Sequence, residues 1–198
     1  MADPRDPAPV LLVAAVFSRH GDALAWARAR LEDSYGPVGR AGPALVFDQT
    51  AYYEATMGPG LTKQLLAFRD LVAPDRLAEI KLHANALERE LAAAGAHPEP
   101  RPVNIDPGVL GLGKFLLATT KDQAHRVYLR DGIYAEVTLR YQAGAYEPWP
   151  WTYADYRQPA VLAFLQEARA YYQQRLRETA CPPRLPRRPP PDEGVGHE

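Results

Sequence analysis

Between Asn104 and Arg140 the chain concentrates side chains that can hold or move charge: Asn104, Asp106, Lys114, Thr119, Thr120, Lys121, Asp122, His125, Arg126, Glu136, Thr138 and Arg140. Residues 124–130 and 133–141 flank Asp131-Gly132. A two-residue Asp-Gly link between such runs predicts a hairpin, because both central positions of that turn need positive φ. With Arg130 opposite Ile133, His125 falls opposite Thr138, and Glu136 and Arg140 become its diagonal neighbours on one face. Ile133, Val137 and Leu139 then face a helix on the other side. Histidine titrates near neutral pH, a carboxylate can hold its tautomer, and Arg with Lys can bind an anionic group. Lys114, Lys121, His125, Arg126, Glu136, Thr138 and Arg140 therefore form the candidate site, an anion-binding or acid–base patch for a small, for example phosphorylated, ligand. The plainer alternative is that Glu136 and Arg140 pair across a half-exposed sheet face while His125 caps or packs.

Gly108-Val109-Leu110-Gly111-Leu112-Gly113-Lys114 has the spacing of a phosphate-binding P-loop, in which backbone N–H groups cradle phosphates and the lysine reaches the outer ones. Phe115 stands where a Ser or Thr hydroxyl would ligate magnesium, so GTP or ATP binding ranks behind the patch. His125, Glu136 and Asp106 could supply a zinc or hard-metal set. No short ligand spacing accompanies them, and no metal centre is expected. Lys81, Asn85 and Glu88 follow one another at four- and three-residue steps, with His83 on the same helix. That polar line is either solvated or, since it edges an apolar stripe, the border of a pocket. His20 and His97 fall at loop positions and suggest only solvation. No motif names a cofactor.

These residues need elements to position them. Val10–Phe17 is a continuous apolar run, suited to a strand buried on both faces. From Asp22 to Tyr35, Leu24, Ala27 and Leu31 recur at helical spacing until Gly36-Pro37. Residues 44–53 and 63–72 read as strands around Met57-Gly58-Pro59-Gly60, although Leu61, Leu65, Phe68 and Val72 also fit a helix. Pro74 opens a helix whose apolar positions Leu77, Ile80, Ala84, Leu87 and Leu91 run to Gly95. A short strand over 101–105 precedes Leu112, Phe115, Leu116 and Thr119, whose spacing predicts a helix. Trp149, Trp151, Tyr153 and Tyr156 form a proline-punctuated strap over 146–159. It either covers a sheet edge, stacks a ligand or meets a protein partner. A last helix spans 159–177.

This order predicts an α+β fold: a ferredoxin-like βαββαβ core over the first ~105 residues, extended by the hairpin and terminal helix. Residues 1–8 form a flexible N-terminus, 9–178 one domain, and 179–198 a disordered proline-rich tail that lacks core-forming side chains. Its Pro183-x-x-Pro186-x-Arg188 has the form of a polyproline ligand, but an unstructured terminus is the simpler reading.

Twenty-three basic against twenty-four acidic residues, a net charge of −1, provide no field to hold a polyanion, so nucleic acid is not the expected partner. The single cysteine, Cys181, can build neither an intrachain disulfide nor a cysteine-ligated zinc site and fits a reducing cytosol. Val10–Phe17 is too short to cross a bilayer. The Arg- and Ala-rich composition points to GC-rich bacterial coding.

Several segments resemble an uncharacterised bacterial family, domain of unknown function 4416. They are Phe47-Asp48 with Tyr52-Tyr53-Glu54 and Met57-Gly58, Glu79-Ile80-Lys81-Leu82 with Asn85 and Glu88, Val103 to Gly108, Ala118 to Asp122, His125 to Leu129, Gly132 to Leu139, and Pro150 to Tyr153 with Asp155-Tyr156-Arg157. The resemblance runs over residues 8–178 and implies a small bacterial protein with no assigned activity.

Overall fold

A computed structural model describes residues 3–50 and 52–180. The tail from Cys181 onward lies outside the described residues, and Thr179 and Ala180 still belong to the last helix. Residues 3–9 form neither helix nor strand.

The fold is α+β. Strand β1 (Val10–Ser18) leads into α1 (Gly21–Tyr35), then β2 (Val38–Ala41), β3 (Leu45–Phe47), the one-turn α2 (Glu54–Met57) and β4 (Leu61–Val72). Helix α3 (Leu77–Ala93) connects to β5 (Asn104–Leu110), β6 (Lys114–Thr119), β7 (Val127–Arg130), β8 (Ile133–Gln142), β9 (Ala145–Pro148) and α4 (Pro159–Ala180). The strands form one sheet in the order β2-β4-β1-β5-β6-β8-β7, with β3 beside β4 and β9 beside β8. Every pairing is antiparallel.

Helices on both faces explain the unbroken apolar β1. Leu12, Ala14 and Val16 pack with Ala27 and Leu31 of α1 and Ile80 and Ala84 of α3, while Leu11, Val13 and Ala15 pack with Leu165, Ala168 and Tyr172 of α4. The same split settles residues 63–72. Leu66 and Phe68 join the first core and Leu65 and Ala67 the second, a period of two that only a strand provides. No described helix is long and apolar enough to cross a membrane.

One expected helix is a strand. Phe115 and Leu117 enter the α4-side core and Leu116 and Ala118 the opposite one, so the stretch alternates as β6. This also dissolves the P-loop. Gly108 lies inside β5 opposite Leu117, and Gly111 N donates to Lys114 O at 2.9 Å across a tight strand-to-strand turn. No helix N-terminus follows to present N–H groups to a phosphate. Gly108 is needed for a different reason: a Cβ there would collide with the Leu116 carbonyl and come within 2.8 Å of the Phe115 ring.

The Asp131-Gly132 turn forms as expected, with φ of 54° and 75° and Arg130 opposite Ile133. Two bulges then change the register. One in β7 puts Tyr128 opposite Tyr134 and Val127 opposite Ala135, and β7 begins only at Val127. His125 therefore precedes the strand and is not the cross-strand neighbour of Thr138. The second falls in β8 between Val137 and Leu139. Ile133 and Ala135 consequently pack in the α1/α3-side core and Leu139 in the α4-side core, rather than together.

Candidate functional site

A cavity of about 480 Å³ opens between the ends of the central strands. Phe17 of β1, Phe47 of β3, Lys63 of β4, Asn104 and Asp106 of β5, Leu117 of β6 and Glu136 of β8 form its walls. Thr50, Tyr52 and Tyr53, the Thr119–Gln123 connection and Tyr153–Tyr156 close round it, and Lys81 and Asn85 reach in from α3. The volume is that of a small-molecule site, and its mix of aromatic walls with a few convergent polar groups is typical of one.

The charges at its base are paired, and most of them are buried. Lys63, 4% exposed, is bonded to Asp155 and has its ammonium 4.1 Å from the Tyr156 ring centre. Lys81, 5% exposed, donates to Asp106 Oδ1 and to the Ile105 carbonyl, both at 2.9 Å. Arg101 donates to Glu88 Oε2 at 2.8 Å and to Asn104 Oδ1, and Asn104 Nδ2 donates to Asp106 Oδ2 at 2.8 Å. Glu88 Oε1 accepts from Ile105 N at 2.7 Å, tying α3 to β5. Arg126 Nε donates to Glu136 Oε2 at 2.9 Å, and its two other nitrogens reach the Lys121 carbonyl at 2.9 Å and Tyr153 Oη at 2.6 Å.

The pairs tune acidity. Burial alone would raise Asp106, but the Lys81 ammonium beside it, with help from Lys63 and Asn104, holds its carboxyl below the usual range. Glu88 moves the opposite way, because burial outweighs Lys81 and Arg101. Burial also raises Tyr53, Tyr153 and Tyr156. Tyr52 is lowered, since the Lys121 ammonium donates to its hydroxyl at 3.0 Å.

Of the residues expected to form the site, Lys121 and Glu136 line the cavity and Arg126 braces Glu136 from behind. Thr138 is fully buried and donates to Glu136 Oε1 at 3.2 Å. His125 Nε2 lies 3.3 Å from Glu136 Oε2, but its ring stacks on Trp151 outside the cavity, with centres 5.3 Å apart. Trp151 stacks in turn on Trp149, and Arg140 lies over Trp149 while bonding Glu147 at 3.0 Å. Lys114 sits opposite Arg140 at the far end of β6. The expected single patch is thus two: a cavity group and an aromatic ladder. Asp106 is held by Lys81 and Asn104 and does not join His125 and Glu136 as a ligand set.

Lys63, Arg101, Asp155, Tyr52 and Tyr53 were not legible as site residues. Lys63 carried one usable signal, a lysine that shares its strand face with the apolar Leu61 and Leu65. Lys81 and Asn85 do border a pocket, one of the two readings of their polar line.

This is an α+β protein whose sheet opens into a charge-lined cavity, and the chain belongs to a family of unknown function. The model of domain of unknown function 4416 (DUF4416) matches residues 8–172. No curated protein and no solved structure matches the chain.

Proposed function

We propose that the chain binds a small anion of low charge, phosphate- or carboxylate-bearing, in the cavity. The supporting observation is the charge balance. Lys63–Asp155, Lys81–Asp106, Arg101–Glu88 and Arg126–Glu136 each close on themselves, and Lys121 alone presents an ammonium to the cavity with no carboxylate bonded to it among the described residues. Tyr52 and Tyr53 flank it and suit a flat organic moiety. The setting is the reducing cytosol that the single cysteine suggests.

A thermal-shift screen over sugar phosphates, nucleotides and short carboxylates tests this, because a specific ligand stabilises by mass action. One anion class should raise the melting temperature of the unmodified protein. Lys121→Ala should abolish that rise while leaving the free protein unchanged, since Lys121 is exposed. Arg140→Ala, outside the cavity, should leave the response intact. A response that survives Lys121→Ala, or no response to any anion class, overturns the reading.

A second reading, a protein-interaction module, is favoured by one observation. Val127, Tyr128 and Leu129 are 68%, 57% and 39% exposed on the outermost strand β7. Such an edge can accept a partner strand. The Trp149–Tyr156 strap offers less, because Thr152 and Tyr156 are buried and Trp151 is engaged with His125. For the architecture, the order β2-β4-β1-β5 with α1 and α3 as crossovers supports a ferredoxin-like unit that β6–β9 extend.

A further inference from the structure

We propose a second site, remote in its chemistry from the anion cavity: a zinc-class metal site formed by His20, Asp22, His97 and Glu99. His20 lies in the connection from β1 to α1, Asp22 in the first turn of α1, and His97 and Glu99 in the loop from α3 to β5. His20 Nε2 is 2.7 Å from Glu99 Oε2, and His97 Nε2 is 3.2 Å from Asp22 Oδ2. The two imidazole rings have centres 4.5 Å apart. Ligand atoms of His20, Asp22 and His97 all lie within 4.8 Å of one another. Metal–ligand bonds of about 2.0–2.1 Å in a tetrahedron place neighbouring ligand atoms roughly 3.3 Å apart, so small side-chain adjustments bring these three round one ion, with Glu99 beside them on His20.

An independent observation sets this group apart from a chance surface cluster. The His97 side chain is only 7% exposed, and its buried Nδ1 has no hydrogen-bond partner among the described residues. A buried imidazole whose sole polar contact is a carboxylate that is itself 78% exposed is poorly compensated as a plain hydrogen-bonding residue. A metal bound at the open Nδ1 would supply the missing partner while Nε2–H keeps Asp22, since ligation requires the neutral ring and gains from a carboxylate on its other nitrogen. Two imidazoles with two carboxylates match zinc, and also cobalt(II) and nickel(II), better than the all-oxygen shells of calcium or magnesium. The positive end of α1 opposes a cation here. The carboxylates of Asp22 and Glu99 offset it, and Arg19 is bonded to the other Glu99 oxygen, Oε1, at 2.9 Å. The ion would clamp the start of α1 to the loop that delivers β5.

Titration of the full-length, chelator-treated protein with zinc chloride by calorimetry, and with cobalt(II) by visible absorption, tests the site. One equivalent should bind, and cobalt should give the intense visible bands of a tetrahedral centre. His97→Ala should abolish binding. Asp22→Ala should weaken it by about tenfold or more, since even outer-shell partners matter by 10- to 100-fold. Asp22 is exposed, so that variant folds and decides the matter if His97→Ala does not. His83→Gln, elsewhere on α3, should bind as the unmodified protein does. Absence of stoichiometric binding, or binding unaltered in Asp22→Ala, overturns the proposal. Loss of anion binding at the cavity would not touch it.

Discussion

Arg126→Ala tests whether the polar core beside the cavity is structural. Both side chains of the Arg126–Glu136 pair are 1% exposed, and Arg126 spends its remaining donors on the Lys121 carbonyl and Tyr153 Oη. Truncation leaves Glu136 buried, its carboxylate bonded only by Thr138 at 3.2 Å and His125 at 3.3 Å. Removing one partner of a buried pair costs about 3–5 kcal/mol, a large share of the ~5–15 kcal/mol that stabilises a domain. At ~2–4 °C per kcal/mol for a chain of this size, the melting temperature should fall by roughly 6–20 °C. Urea unfolding measures the same loss as a lower midpoint at unchanged slope. A companion variant, Arg126→Met with Glu136→Leu, should recover most of the loss, because removing both charges leaves none uncompensated. A single variant within about 1 kcal/mol of the parent, inside the range of an exposed pair, would refute the argument.

Two further outcomes follow from local geometry. Gly108→Ala should destabilise by about 1–3 kcal/mol, because the new methyl group meets the Leu116 carbonyl and the Phe115 ring, and a chemical-denaturation midpoint equal to the parent's would show that β6 can move aside. Asp106 is held below its ordinary carboxylate value, so the stability it contributes is present above its unfolded-state pKa and is lost as pH falls through the lower native value. Asp106→Asn should therefore be less stable at neutral pH, with the gap narrowing in acid. A gap constant with pH in urea titrations would refute the assignment.

What the sequence carried well was whatever depends on local pattern. Val10–Phe17 reads as a doubly buried strand because its apolar side chains are consecutive, and Asp131-Gly132 reads as a turn because few residues accept its dihedrals. Residues 112–119 misled because Leu112, Phe115, Leu116 and Thr119 satisfy helical spacing while the sheet needs both faces filled there. Alternation shows only once α3 and α4 are known to cover opposite sides. β2 and β3 are too short to leave a period. The bulges at Leu129 and Thr138 lack any sequence mark, yet each reverses which side chains share a face, and so they divided the predicted patch into two. Lys63 on β4, Arg101 ahead of β5 and Asp155 just before α4 are distant in sequence and meet only in the folded chain.

Stability alone does not account for that opening. Buried ion pairs of this kind are commonly neutral or worse compared with packed apolar side chains, because desolvation takes back most of the attraction. A cavity of about 480 Å³ removes packing contacts as well. Four pairs and a hole at this end of the sheet are thus less favourable than packed apolar side chains would be, which is consistent with the binding site proposed above. A fixed set of charges in a cleft has a clear physical use. Their orientation is set before a ligand arrives, so a bound anion meets dipoles and an ammonium that need not reorganise, in surroundings where each interaction is stronger than in water. On the reading proposed above, the pairs are scaffold and Lys121 is the recognition element, so the exposed Lys121 should govern ligand response and the buried Arg126 should govern stability.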